Sequence, residues 1–233
     1  MKRALILFAL LTSPALAQTG GNPAASSPLS GIFDQIAGQA EGQKPVPTTP
    51  VSDKLLTYKP SSKVSADLRN QFVELLLTQG KKNGTLTPAL EKQVRSEFGK
   101  IDIASEYQKL LKPKGYDINN VATALTLYVV SAFEVLDGFQ SSDAQDKATF
   151  EQFKKAFGGI KAIQTMNDAD KQKFAEALMW LTAFQQNDLD QAKKGAKGYT
   201  LEAVKAEIKS SLQGFNLDPD KIMVGPNGLQ ARQ

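Results

Sequence analysis

The sequence predicts an all-α protein, a compact bundle of about seven helices preceded by a disordered Pro/Gly/Ser-rich N-terminal segment. Three observations lead to this fold class. From Ser61 onward, apolar residues recur with the 3.6-residue period of a helix. Ser, Thr, Asp or Asn stands before most apolar stretches, and Gly or Pro follows them. The chain contains no convincing pair of alternating stretches that would predict strand pairing.

Residues 1–17 have the three parts of a secretory signal peptide. Lys2-Arg3 is the positive start, Ala4–Leu11 is the apolar stretch, and Ala15-Leu16-Ala17 is the small-residue cleavage pattern before Gln18. We expect cleavage after Ala17 and release into the periplasm or the extracellular medium. The apolar stretch is far shorter than the roughly 20 residues of a spanning helix, so we expect no transmembrane span after cleavage.

Charge and composition exclude several classes of function. Loss of the two basic residues of the signal lowers the formal net charge from +4 to +2, which does not predict a nucleic-acid partner. The chain has no histidine and no cysteine. It therefore cannot form a Ser-His-Asp triad, a thiolate nucleophile or the common zinc sites. The glycines of Gly158-Gly159 and Gly195–Gly198 lie at helix ends, not in a phosphate loop. We predict no cofactor and no metal ion.

The segment after the cleavage site is rich in Pro, Gly, Ser, Thr and Gln and poor in large apolar residues. Such a composition predicts a disordered tether. Two apolar islands interrupt it: Ser30–Ala37 could form one amphipathic turn, and Leu55–Tyr58 could dock on the folded part. Transient structure and a partner-docking motif are both open for them. The predicted units are a signal peptide at 1–17, a tether at 18–60, a helical domain at 61–216 and a C-terminal loop or tail at 217–233.

The first three predicted helices each have a start signal. Ser65 can cap the first helix. Thr87, followed by Pro88 at the first helical position, is a strong start for the second. Asp102 can cap the third. The apolar faces comprise Leu68, Phe72, Leu75 and Leu76 in the first helix, Leu90, Val94 and Phe98 in the second, and Ile103, Tyr107, Leu110 and Leu111 in the third; the ends are Gly80, Gly99 and the residue before Lys112-Pro113.

The remaining four helices follow the same rules. Asn119 or Asn120 opens the fourth and most apolar helix, which reaches Asp137. The others begin near Ser142, Asn167 and Thr200. Gly138 and Gly214 end the fourth and seventh helices, and the last three carry Phe150, Phe153, Phe157 and Ile160, then Phe174, Leu178, Leu181, Leu189 and Ala192, then Leu201, Val204, Ile208 and Leu212.

The last residues of the chain have no helical period. Leu217–Gln233 contains Pro219 and Pro226 and two glycines, which predicts a loop. Within it, Ile222-Met223-Val224 could add one short extended piece.

Glu134 is the catalytic candidate of greatest interest, because it stands alone among apolar residues of the fourth helix. General acids of glycosidases occupy such environments, and Asp137 is the nearest acidic companion, one helical turn away. At 100° per residue, however, Glu134 falls on the polar strip of its helix with Thr123, Thr126, Ser131 and Asp137. A largely buried helix with one solvent-facing strip is the simpler interpretation.

Met179 and Trp180 lie away from the main apolar stripe of the sixth helix or at its margin. Apolar residues placed like this usually contact a second layer of helices. They could instead form an exposed interaction surface for a partner.

Several short motifs carry a resemblance to known proteins. They are Thr57–Ser61, Asn119–Ala122, Met166–Asp168, Lys171-Gln172, Ala175–Leu178 and the ending from Leu217-Asp218 to Gly228-Leu229. With these motifs the chain resembles a family of exported bacterial proteins for which only an uncharacterised helical domain is defined. The likeness covers about Leu56 to Leu229 and implies one exported helical domain, with no catalytic residues to carry over.

These observations favour a non-enzymatic binding or interaction module. Its expected partner is another envelope or secreted protein, or a cell-wall component; the oligomeric state is not predicted. Two alternatives stay open. The first is a carboxylate-based glycan hydrolase that uses Glu134. The second is an apolar-ligand carrier whose cavity would be lined by Tyr107, Tyr128, Phe133 and Trp180.

Overall fold

The computed structural model describes residues 52–158, 160, 163 and 165–232. The predicted signal peptide, the Ala17–Gln18 cleavage site and the Ser30–Ala37 island lie outside these residues. The described part is an all-α bundle with one small hairpin, which confirms the predicted fold class. Its elements are α1 (Asp53–Leu56), α2 (Ser62–Lys82), α3 (Pro88–Gly99), α4 (Ile103–Leu111) followed by a 3-10 turn (Lys112–Lys114), α5 (Val121–Asp137), α6 (Asp143–Gly158), α7 (Asp168–Lys193), α8 (Leu201–Gly214), β1 (Ile222–Gly225) and β2 (Gly228–Ala231).

Side-chain caps begin most of these helices where the sequence predicts them. The side-chain oxygens of Thr87, Asp102, Asn120, Asn167 and Thr200 each accept a hydrogen bond from a backbone N–H two or three residues ahead. A cap of this kind contributes about 0.5–2 kcal/mol, because it satisfies an otherwise unpaired N–H. Asn120, and not Asn119, therefore opens α5.

The predicted bounds of α2 were wrong at both ends. The helix begins at Ser62, before the predicted cap Ser65, and runs past Gly80 to Lys82. Its buried side also differs from the predicted stripe, because the side chain of Leu75 is 52% exposed while Val73 and Leu77 are buried. Leu110 of α4 is likewise exposed. Gly80 is itself buried and the helix continues for two more residues, because a single glycine lowers the stability of a helix without having to end it.

Helices α5 and α7 form the centre of the bundle. Helix α5 packs against α6, α7, α8 and β1, and α7 also packs against α2 and α4. Leu125, Tyr128, Val129 and Phe133 of α5 are completely buried. None of the helices in the described part of the chain is long and apolar enough to cross a membrane.

The segment before α2 is part of the packed structure. Leu56 is completely buried and Tyr58 is 5% exposed. The backbone N–H of Tyr58 donates to the carbonyl of Asn119 at 3.0 Å, beside an isolated bridge between Thr57 and Asn120. Residues 53–60 thus join the bundle, although their composition had grouped them with the tether. The docking of Leu55–Tyr58 on the folded part of its own chain is therefore observed, whereas a partner-docking role for this island stays a prediction.

The C-terminal residues form a hairpin in place of the predicted loop. Strands β1 and β2 are antiparallel, with Val224 opposite Leu229. The hairpin packs on α6, where the side-chain amide of Gln152 accepts from the N–H of Leu229 at 2.7 Å and donates to its carbonyl at 3.0 Å. Gly228 permits this approach: its φ is +94°, and a Cβ there would lie 3.1 Å from the Ala148 carbonyl oxygen. The extended piece predicted at Ile222–Val224 lies within β1.

Candidate functional site

One concavity of about 230 Å³ contains the predicted candidate Glu134. Helix α5 forms one wall, and the 3-10 turn after α4 and the start of α6 form the others. Gly138, with φ of +69°, ends α5 and lets the chain turn back toward α6. Both apolar and polar side chains line the space, including Leu127, Tyr116, Gln140 and Ser131.

Hydrogen bonds hold the Glu134 side chain in a fixed position. Its Oε1 accepts from the backbone N–H of Ser141 and lies 2.8 Å from the Ser141 Oγ. The same Oγ is 2.6 Å from Oδ1 of Asp146, so two carboxyl groups face one hydroxyl. Lys114 contacts Oδ2 of Asp146 at 3.1 Å and Oδ1 of Asp143 at 2.8 Å. These two contacts, that with Asp143 first, raise the pKa of Lys114 above its ordinary value.

Asp137, the predicted companion of Glu134, faces a different partner. Its two carboxylate oxygens lie 2.7 and 2.9 Å from an Nη of Arg232, beyond the end of β2. Asp137 does not line the Glu134 concavity, whereas Asp146 does. Proximity along the helix therefore did not identify Asp146, the carboxyl group that shares the Ser141 hydroxyl with Glu134.

The interaction surface predicted at Met179 and Trp180 is absent from the structure, because both side chains are inside the bundle. Met179 is 0% and Trp180 is 1% exposed. The indole ring stacks on Phe98 at 5.7 Å between centroids and contacts Phe72 at 5.9 Å. Their place off the main stripe reflects contact with a second layer of helices, α2 and α3. The core interpretation is confirmed.

A second concavity, of about 510 Å³, lies between α2, the start of α4 and α7. Its floor includes Arg69, Glu176 and Trp180. Glu176 is 2% exposed. Burial raises the pKa of its carboxyl above the ordinary value, although hydrogen bonds from Ser65 and Gln172 act in the opposite direction.

Glu176 was not among the candidates that the sequence suggested. The nearest signal was a spacing of four, which places Gln172, Glu176 and Trp180 on one line of α7. The partners from α2, such as Ser65, are more than 100 positions away along the chain. Only the packing of α2 against α7 brings these groups together.

The four residues proposed to line an apolar-ligand cavity do not come together in either of these two concavities. Tyr107, Tyr128 and Phe133 are buried and line neither concavity. The hydroxyl of Tyr128 lies 2.7 Å from the Oγ of Ser211, on α8, inside the packed interior. Within the described part of the chain, no group of three or more acidic side chains could hold a metal ion.

Comparison with known proteins gives one match. Residues 34–232 match the family described as "Family of unknown function (DUF6683)". The chain belongs to the DUF6683 family. No curated protein and no solved structure matches it. The DUF6683 match includes both concavities and the docked segment before α2. It confirms the resemblance to an uncharacterised family, and the family description carries no activity.

In this DUF6683 chain, the two residue groups that the sequence singled out lie apart. Glu134 lines the concavity on the α4–α6 side of α5, and Trp180 lies at the floor of the one between α2, α4 and α7. Neither group borders the other's space. We call the first the Glu134 concavity and the second the Glu176 concavity.

Proposed function

We propose that the mature protein is an exported, non-enzymatic binding module whose Glu134 concavity takes a hydroxyl-rich ligand, a glycan segment of the cell wall. Support for export comes from the n-region, apolar stretch and cleavage pattern of residues 1–17. Cleavage before Gln18 would leave the Pro/Gly/Ser-rich segment that follows it at the N-terminus of the mature chain, where its composition predicts a tether.

The observation that carries the binding proposal is the composition of the concavity wall. Glu134, Asp146 and Gln140 supply carboxylate and amide oxygens, and Ser131 supplies a hydroxyl that both donates and accepts. Sugar hydroxyls also donate and accept, so they match this set. The half-buried ring of Tyr116 adds an apolar face, which packs edge-on against Phe150 at 5.4 Å between centroids.

Binding is favoured over hydrolysis because Asp137 is engaged by Arg232 outside the concavity. One observation supports hydrolysis as the second candidate: Asp146 approaches the Ser141 hydroxyl that Glu134 also contacts. A glycosidase needs two carboxyl groups in one site, and this concavity contains two. If the protein is a hydrolase, the pair is therefore Glu134 with Asp146.

Co-sedimentation with insoluble peptidoglycan tests the proposal. The mature chain from Gln18 is expected to pellet with peptidoglycan and to stay in the supernatant without it. Glu134→Gln and Tyr116→Ala should each reduce the bound fraction several-fold. Glu202→Gln is the matched control, because Glu202 is exposed on α8 and does not line the concavity; it should bind like the parent chain.

Two further measurements separate the candidates. Release of reducing ends from peptidoglycan by the parent chain, with loss of this release in Glu134→Gln or Asp146→Asn, would support the hydrolase and contradict the non-enzymatic binding module. Absence of co-sedimentation under all salt conditions would refute the glycan proposal. Mass determination of the protein recovered from a bacterial host should give a chain that begins at Gln18, and an intact Met1 would refute export by this signal.

A further inference from the structure

A dense hydrogen-bond network fastens the start of α2 to α7. The side-chain amide of Gln172 donates to the carbonyl of Ser61 at 2.9 Å and accepts from the N–H of Ser61 at 2.8 Å. It also donates to Oε1 of Glu176 at 2.8 Å, and the Ser65 hydroxyl donates to the same Oε1 at 2.6 Å. This side of the Glu176 carboxyl is therefore saturated with partners.

Three buried polar atoms next to this network have no hydrogen-bond partner among the described residues. They are Oε2 of Glu176, Nε1 of Trp180 and Nε of Arg69. The Arg69 guanidinium is anchored elsewhere, since its Nη1 donates to the carbonyl of Ile101 at 3.0 Å. An unsatisfied buried polar group costs about 1–3 kcal/mol, and native proteins contain few of them. All three atoms belong to side chains that line one space, the Glu176 concavity.

The charges around this concavity balance. Lys63 and Arg69 bring two positive charges, and Asp102 and Glu176 bring two acidic groups. Lys63 is paired with Asp67 at 2.7 Å, and the Asp102 carboxylate caps α4 by accepting from the N–H of Ser105 at 3.0 Å. An anionic ligand would meet Asp102 and Glu176, and a cationic one would meet the guanidinium of Arg69. The site therefore suits a neutral polar group.

The donors and the acceptor define that group further. Trp180 Nε1–H and Arg69 Nε–H can only donate, whereas Oε2 of Glu176 can accept. A ligand group with a carbonyl oxygen beside an N–H complements them: its oxygen can accept from the two donors, and its N–H can donate to Oε2 of Glu176. The volume of about 510 Å³ falls within the usual range of ligand pockets, so it has room for more than one amide.

We propose that the Glu176 concavity is a second binding site, which recognises the amide group of a neutral ligand through Trp180, Arg69 and Glu176. The carbonyl oxygen accepts from the two N–H groups, and the amide N–H donates to Oε2 of Glu176. Peptides and N-acetylated sugars both carry this group. The site is independent of the Glu134 concavity and of the function proposed there.

The chain contains a single tryptophan, so indole emission, excited at wavelengths that tyrosine does not absorb, reports on the surroundings of Trp180. The mature chain is titrated with N-acetyl-alanine methylamide and with N-acetylglucosamine, and in parallel with acetate and methylammonium at equal ionic strength. We expect a saturable change in Trp180 emission with one or both amide probes and none with the two ions. The tighter amide probe identifies a peptide or a sugar as the source of the group.

Variants test whether the three side chains make the contacts. Arg69→Gln and Glu176→Ala should each weaken the amide probe about tenfold, the loss expected for one or two hydrogen bonds in a buried site. Trp180→Phe keeps an aromatic ring, although a smaller one, and removes the N–H. Because this variant lacks the fluorophore, its affinity for the amide probe is measured by calorimetry and should fall by a similar factor. Lys173→Gln is the matched control, because Lys173 is exposed on α7 and lines neither concavity. Circular dichroism confirms that each variant is folded.

Three results would overturn the inference. One is the absence of any saturable emission change with the amide probes. Another is a response to acetate or methylammonium equal to that of the amides. The third is an unchanged affinity in folded Arg69→Gln and Glu176→Ala. Failure of peptidoglycan binding in the co-sedimentation experiment leaves all three readouts intact, so the two proposals fail separately.

Discussion

The two concavities differ in how far their polar groups are satisfied. In the Glu134 concavity, Glu134 and Asp146 both contact Ser141, and Lys114 pairs with Asp146. These side chains are half-buried or exposed. In the Glu176 concavity, Glu176 and Trp180 are at most 2% exposed, yet each has a polar atom without a partner among the described residues. Surface polar groups can rely on solvent, whereas buried ones depend on what the fold or a ligand brings.

The two concavities also differ in how much their side chains contribute to the stability of the fold. The floor of the Glu176 concavity belongs to the core, since Trp180 stacks on Phe98. In the Glu134 concavity, by contrast, the side chains of Glu134, Asp146 and Tyr116 are only half-buried. Substitutions should therefore lower the free energy of unfolding strongly in the Glu176 concavity and weakly in the Glu134 concavity, which the following comparisons can test.

The largest effect is expected from truncating the aromatic ring in each region. Trp180→Ala should lower the free energy of unfolding by about 3–5 kcal/mol, the usual cost of removing a buried aromatic side chain. Tyr116→Ala should cost about 1–2 kcal/mol, because the Tyr116 ring is only half-buried and less apolar area is lost. Urea unfolding followed by circular dichroism measures both, since Trp180→Ala removes the indole fluorophore. Equal losses would contradict the assignment of only one region to the core.

The dependence of stability on pH gives an intermediate effect. Burial raises the pKa of Asp188 to about 7, and the charge of Glu207 adds to it. Because the native carboxyl holds its proton more tightly than the unfolded chain does, its stabilising contribution is complete below about pH 4. It is lost as the pH rises through about 7. Glu176 has a raised pKa of the same sign.

We therefore expect the free energy of unfolding to fall between pH 4.5 and 8. Asp188→Asn should reduce that fall by about 2–4 kcal/mol, at about 1.4 kcal/mol per pKa unit. Glu176→Gln should reduce the fall further, which would assign part of the pH dependence of stability to the Glu176 concavity. Asp190→Asn, an exposed neighbour on α7, should leave the curve unchanged. Stability that rises with pH over this interval would show that these carboxyl groups are ionised in the native state.

The smallest effect compares the two serines that contact the two glutamates. Ser65→Ala should cost about 1–3 kcal/mol, because the Ser65 hydroxyl donates to a buried carboxyl. Ser141→Ala should cost about 0.5–1 kcal/mol, since Glu134 is half-buried and keeps the backbone N–H of residue 141. Thermal unfolding of the two variants at pH 7 gives the comparison. A larger loss for Ser141→Ala would reverse the ranking of the two networks.

Features that depend on neighbouring residues were predicted well from the sequence. The caps at Thr87, Asp102, Asn167 and Thr200 are local hydrogen bonds, so the residue type and its place before an apolar stretch are sufficient. Glu134 was singled out because it stands alone among the apolar residues of its helix, and the structure places it in a concavity.

Features that depend on distant residues were not predicted. The hairpin needs Gln152 of α6 to pair with Leu229, and its four-residue strands are too short for a clear period. Similarly, Glu176 resembles any other acidic residue of a helix until α2 packs against it. Asp146, which replaces Asp137 as the companion of Glu134, is brought near by the turn after Gly138.

The pairing of Gln152 with Leu229 has a consequence for self-association. Short hairpins expose backbone groups along their outer edge, where a strand from another molecule can be added. Here the side-chain amide of Gln152 takes both backbone groups of Leu229, as a neighbouring strand would. A glutamine on a helix therefore closes β2 at this position against sheet extension from a second copy.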